Sequence, residues 1–127
     1  YNVEGFGSGG QKADGMATYG ATKAAVRYLN DTAAKDLDGD AVRVGVISPG
    51  IVVTDLLVGD YEGQPEKFAK ARRIFNILGD RVETVSEFIA DQLTSGEQPP
   101  LSIRWLTRPK AMVRFATAPL RRRDLFA

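Results

Sequence analysis

The chain has 127 residues, 43% hydrophobic and 26% charged, with a formal net charge of +1, which fits one globular domain and is too short for two. Cysteine is absent, excluding disulfides and thiolate chemistry, and histidine is absent, removing the usual metal ligand, the usual general base and any Ser-His-Asp triad. No apolar stretch approaches the roughly 20 residues that span a bilayer and no signal-peptide pattern opens the chain, so a cytoplasmic location is expected and no metal.

Tyr1-Asn2-Val3 reads as the end of a strand, and Gly5 to Gly15 as a glycine-rich loop that supports neither helix nor regular strand. From Ala17 to Leu37 the pattern is helical. Ala21, Ala24, Ala25, Tyr28, Leu29, Thr32 and Ala33 recur at spacings of three and four, with Arg27, Asp31 and Lys35 on another face. Asp38-Gly39-Asp40 ends this helix, Gly39 being suited to a left-handed cap.

Within that helix, Tyr19-Gly20-Ala21-Thr22-Lys23 places a tyrosine and a lysine one turn apart on one face. A phenol titrates near pH 10 in water and is a poor proton donor at neutrality. A unit positive charge at about 4 Å contributes roughly 4 kcal/mol at an effective dielectric near 20, enough to make a phenol a general acid near pH 7. A solvated pair on an amphipathic helix accounts for the isolated spacing equally well.

Val42 to Ile47 follows as a nearly continuous apolar strand, the pattern of burial on both faces of a parallel sheet, and Pro49 must end it. Leu56 to Ile77 mixes Gly59, Gly63 and Pro65 with a short helix from Pro65 to Phe75. Val82 to Leu93 is a second amphipathic helix, with Val85, Phe88, Ile89 and Leu93 as its stripe. Ser102 to Thr107 reads as a final strand and 108–127 as a basic tail, helical from Pro109 to about Ala116.

Residues 1–103 carry ten basic and fifteen acidic side chains, whereas 104–127 carry seven and one, a local net charge of +6. With Trp105, Phe115, Leu120 and Phe126 interleaved, such a tail suits contact with an anionic membrane surface or with nucleic acid, of which the membrane surface is the expected partner and nucleic acid is not. A solvated arm packed on acidic surface of its own protein or of a partner subunit is the alternative.

Tyr-Gly-Ala-Thr-Lys-Ala-Ala at 19–25, followed by Ser-Pro-Gly-Ile-Val-Val-Thr-Asp-Leu at 48–56, resembles the C-terminal half of a short-chain dehydrogenase/reductase. The resemblance implies an α/β fold with a doubly wound parallel sheet of Rossmann type, spanning 1–127 as a partial domain. The turn that cradles the dinucleotide phosphates would then lie upstream of Tyr1, and the isolated chain would be inactive. In that family Tyr19 exchanges a proton with the substrate oxygen, while Lys23 tunes it and binds the nicotinamide ribose. Pro49, Gly50, Val52 and Thr54 lie beside an NADP or NAD cofactor. Thr54 also fits a helix N-cap before Asp55. The family helix corresponding to 17–37 commonly lies in a subunit interface, which implies a homo-oligomer, and 56–77 forms the substrate lid.

One departure stands out. The family serine that holds the substrate oxygen falls at Phe6 by counting or at Gly5 by motif, and neither carries a hydroxyl. Ser8 is the nearest replacement, and a turn serine in Gly-Ser-Gly-Gly explains it equally. With Phe-Asn-Ile-Leu-Gly-Asp at 75–80 and Trp-Leu-Thr-Arg-Pro-Lys at 105–110, the pattern resembles the chlorophyll b reductase branch. That resemblance implies reduction of a small-molecule carbonyl, a formyl group among the candidates, to an alcohol. A non-catalytic binding or scaffold protein retaining the fold is the rival reading.

Overall fold

The computed structural model describes residues 1–39 and 41–127, so the expected helix terminator Asp40 lies outside the described residues. In chain order the elements are β1 (Asn2–Val3), α1 (Ala17–Asp36), β2 (Val46–Ser48), β3 (Val52–Val53), α2 (Asp55–Gly59), α3 (Pro65–Leu78), β4 (Asp80–Arg81), α4 (Val82–Thr94), β5 (Ser102–Arg104) and α5 (Arg108–Thr117). They divide into two compact units, one of Tyr1–Pro49 with Asp91–Arg104, the other of Gly50–Ala90 with Trp105–Ala127. Every strand pairing is parallel. The fold is α/β, part of a Rossmann-type domain.

In the first unit β2 is the central strand, pairing Val46 with Asn2 and Ser102, and Ile47 with Val3 and Ile103. Val46 and Ile103 are its buried centre, at 7% and 1% exposure. The apolar run from Val42 predicts a strand there, yet pairing begins only at Val46. Val42 is 62% exposed, and the Arg43 guanidinium instead donates to Gln98 Oε1 at 2.9 Å. A strand needs partners as well as β-branched side chains, and the neighbouring strands β1 and β5 match only 46–48.

Helix α1 starts where its pattern starts, at Ala17, and Leu37 closes it with its N–H on the Ala33 carbonyl at 3.0 Å. The glycine-rich loop docks on it backbone to backbone. Gly7 has φ of +99°, and a Cβ there would lie 2.6 Å from Gly20 Cα and 2.8 Å from the Gly20 carbonyl oxygen. Both partners are main chain and cannot rotate aside. Gly7→Ala is therefore expected to cost about 2–4 kcal/mol, the left-handed backbone and the overpacking adding together. Gly10, with φ of +81° and open space where a Cβ would go, should cost only about 1 kcal/mol when changed to Ala. Urea midpoints of the two variants check the difference.

Beneath this loop the buried Glu4 carboxylate, 5% exposed, takes Arg27 Nη1 on one oxygen and Arg104 Nη1 on the other, each at 2.9 Å. Arg27 also reaches Asp31 at 2.7 Å, one turn along α1. These pairs tie β1, α1 and β5 together.

In the second unit a two-stranded ladder pairs Val52 with Asp80 and Val53 with Arg81. Neither strand has a sequence signal, since two residues show no periodicity. Helix α3 runs three residues beyond the expected Phe75, to Leu78. Its C-terminal carbonyls find cationic partners: Arg114 donates to Leu78 O at 2.9 Å and Arg123 to Gly79 O at 3.1 Å. Guanidinium groups there satisfy orphan acceptors and oppose the negative end of the helix dipole.

The C-terminal segment packs on α3 of its own chain, a mainly basic helix and not the expected acidic surface. Phe126 stacks edge-on against Phe68, with centroids 5.1 Å apart, Arg72 pairs with Asp124, and Leu125 N–H meets Asn76 Oδ1 at 2.9 Å. Tyr61, Phe68, Phe75 and Phe126 form one aromatic cluster.

Candidate active site

Tyr19 and Lys23 project from the same face of α1 toward the backbone that leaves β1. The Lys23 ammonium donates to the Val3 carbonyl at 3.1 Å and lies 5.8 Å from the centre of the Tyr19 ring. Tyr19 is 41% exposed, and its hydroxyl makes no hydrogen bond among the described residues. A positive charge thus lies beside the tyrosine ring. Two of the three ammonium protons of Lys23 remain for hydroxyl or carbonyl groups of a bound molecule.

Gly5 forms the floor of this arrangement. A Cβ on Gly5 would sit 2.5 Å from the Tyr19 hydroxyl oxygen and 3.0 Å from Lys23 Cε. The absent family serine thus coincides with a close approach of the tyrosine to main chain. Sequence reasoning notes that Gly5 lacks a hydroxyl; that the missing side chain makes room for Tyr19 requires the tertiary contact.

Ser8 is committed locally. Its hydroxyl accepts from Gly5 N–H at 3.1 Å and donates to the Lys23 carbonyl at 3.1 Å. One hydroxyl has one proton, so Ser8 can donate to a substrate oxygen only by releasing α1.

Pro49 follows β2 in the first unit, whereas Gly50, Val52 and Thr54 belong to the second. Gly50 turns with φ of +75°, Val52 pairs in β3, and Thr54 Oγ1 caps α2 by accepting Leu57 N–H at 3.3 Å. The cap uses a lone pair of Thr54 and leaves its O–H available to an acceptor.

The free Lys23 N–H groups suit the hydroxyls of a nicotinamide ribose, and the Thr54 O–H of the second unit is by itself available to an acceptor. The phosphates have no such match. Gly5, Gly7 and Gly10 have G-x-G-x-x-G spacing, but α1 starts only at Ala17, so this loop does not open a helix N-terminus as a pyrophosphate cradle does.

A parallel α/β framework with a Tyr-x-x-x-Lys helix against a strand, followed in the chain by Pro-Gly, defines a class: the chain belongs to the short-chain dehydrogenase/reductase family, whose short chain dehydrogenase model matches residues 7–64. It is similar to chlorophyll(ide) b reductase NOL of Arabidopsis thaliana, 34% identical over 87% of this chain and 32% of that protein. Probable chlorophyll(ide) b reductase NYC1 of the same plant is 29% identical over 96% of this chain and 23% of its own length. The corresponding NOL protein of Oryza sativa subsp. japonica is 32% identical over 90% and 34%. The chain thus spans about a quarter to a third of these relatives. No solved structure matches it.

These relatives are named chloroplastic, which overturns the expected cytoplasmic location. That expectation rested on the lack of an apolar span and of a leader pattern. No helix among the described residues is long and apolar enough to cross a membrane, but that property is shared by proteins of every aqueous compartment.

Proposed function

We propose that this protein takes part in the reduction of a carbonyl group to an alcohol by a reduced nicotinamide cofactor, NADPH or NADH, with the formyl group of a chlorophyll b-type ring as the preferred substrate. The observation that carries this reading is a half-exposed Tyr19 whose hydroxyl holds no partner among the described residues, with the Lys23 ammonium beside its ring and a main-chain floor at Gly5. The names and similarity of the relatives support the substrate.

The cofactor would supply hydride to the carbonyl carbon. Tyr19 gives its proton to the oxygen, which otherwise would carry a full negative charge. Lys23 holds a positive charge beside that tyrosine and offers its remaining protons to the ribose. By the family pattern Thr54 and the Pro49-Gly50 turn also serve the cofactor. Ser8 steadies the loop under Tyr19 through Lys23 O and Gly5 N, and reaches the substrate oxygen by exchanging the first of these bonds. The exposed Tyr28 and Leu29 on α1, at 75% and 60%, provide an apolar face for a second copy in a homo-oligomer.

Loss of nicotinamide absorbance with a panel of aldehydes, a formyl-bearing chlorin among them, tests the reading on the whole protein. Cofactor binding without oxidation by any aldehyde would establish the scaffold reading, which the engagement of the Ser8 proton favours.

Gly5→Ser provides a sharper test of the floor. The substitution restores a hydroxyl at the motif position of the family serine, yet its Cβ must push the Tyr19 oxygen aside. Turnover should fall, by up to roughly 10²-fold for a displacement near 1 Å, while the urea midpoint stays close to that of the parent because only the far end of a side chain moves. A rise in turnover would show that the site tolerates the serine and lacks it.

A further inference from the structure

The second unit contains a cleft of about 1100 Å³ between α3 and the segment from α5 to Arg123, with six arginines on its walls. Three of them have partners: Arg114 and Arg123 hold Asp80, and Arg72 holds Asp124. The side chains of Arg73, Arg121 and Arg122 make no ion pair or hydrogen bond among the described residues. Three uncompensated guanidinium groups around one concavity focus a positive potential into it. Such groups bind carboxylate and phosphate through paired N–H donors.

Asn76 and Thr117 apart, the rest of the lining is apolar. Ile74, Ile77 and Phe115 share the walls with these arginines, and Ile74 and Phe115 are 41% and 48% exposed. A bare inorganic anion fills only a small part of such a volume and leaves these side chains in water. A ligand with a hydrocarbon body covers them, each Å² removed from water contributing about 25 cal/mol. Charge and shape together select one kind of occupant.

We propose that this cleft binds a small molecule with an apolar body and an anionic head, carboxylate or phosphate. The head lies among Arg73, Arg121 and Arg122, and the body lies on Ile74, Ile77 and Phe115.

Calorimetric titration of the intact protein with monomeric laurate and dodecyl phosphate tests this and separates the two head groups. At least one should bind saturably, and more weakly as salt rises. Inorganic phosphate should bind far more weakly, and dodecyltrimethylammonium should not bind. Arg73→Gln/Arg121→Gln/Arg122→Gln should weaken binding by about tenfold or more, and the matching triple lysine variant should retain most of it. Because these side chains hold no partner, the glutamine variant should unfold at the parent's midpoint. If it does not fold, Phe115→Ser supplies the test by weakening dodecyl phosphate and sparing inorganic phosphate. Equal affinity for inorganic phosphate, unchanged affinity in the variants, or binding confined to phosphatidylglycerol vesicles would each overturn the proposal. The probes carry no carbonyl and the readout is heat of binding, so failure here leaves the proposed reduction standing.

Discussion

Tyr19→Phe should lower carbonyl reduction by roughly 10²- to 10⁴-fold, the range associated with one well-placed proton donor. The substitution removes a single oxygen. That oxygen makes no hydrogen bond within the described residues and its residue is 41% exposed, so no buried group loses a partner and the fold should be unaffected. The unfolding free energy from urea titration should stay within about 0.5 kcal/mol of the parent's, and cofactor affinity should hold because Lys23 and Thr54 are unchanged. The discriminating measurement is kcat beside the cofactor dissociation constant. A kcat within threefold of the parent would place the proton donor on another residue and remove the basis of the proposed chemistry.

The largest effect on stability is expected at Asp80. Its carboxylate is 5% exposed and receives Arg114 and Arg123, each at 2.7 Å, together with the Trp105 indole N–H at 2.6 Å. Trp105 is itself held between Phe88, with centroids 5.1 Å apart, and the Lys110 ammonium, 3.0 Å from its ring centre. One carboxylate therefore joins β4, the start of the C-terminal segment, α5 and the tail. Asp80→Ala takes the counter-charge from two guanidinium groups, which keep only their bonds to backbone carbonyls, and leaves the Trp105 indole N–H without its acceptor. Breaking a buried pair costs about 3–5 kcal/mol. The lower end applies, since the Arg114 and Arg123 side chains are 17% and 31% exposed and regain some water. A fall in melting temperature on the order of 10 °C follows.

The same cluster sets an acid limit. Burial opposes ionisation of Asp80, but the hydrogen bonds from Arg114, Trp105 and Arg123 outweigh it and hold the carboxyl below its ordinary value. A carboxyl depressed in the folded state contributes stability above its unfolded value, near pH 4, and loses it as the pH falls through the folded value. Urea titrations from pH 7 to pH 3 should show the parent losing more stability than Asp80→Asn, which has no charge to lose at that position. Equal losses would mean that other carboxylates govern acid unfolding.

Much of the framework was readable in the residues, for reasons of range. Helix α1 begins at Ala17 because apolar spacing and small side chains act over neighbouring turns, and the Tyr19-Lys23 juxtaposition follows from the pitch of a helix alone. Pro49 ends β2 because it has no N–H to offer a ladder. Thr54 caps α2 through a bond three residues away, as its placement before Asp55 foretells. The motifs at 19–25 and 48–56 led to the family for the same reason: they are contiguous.

What depended on distant partners was not readable. The run at 42–44 has strand composition but no strand paired with it, and β3 and β4 exist only because Val52 and Asp80 meet. Asp80 is one of sixteen acidic residues, and nothing near it in the chain announces that Trp105, Arg114 and Arg123 converge there. The tail's net charge was plain from its composition, but only packing decided that Arg114 and Arg123 neutralise a buried carboxylate while Arg121 and Arg122 stay unpaired. Local sequence determined the helices, the caps and the spacing of the candidate acid and its lysine, because those interactions close within a turn or two. Tertiary structure alone decided which charges are buried, where strands pair and why Gly5 lies beneath the tyrosine, because each of these depends on an atom contributed from elsewhere in the chain.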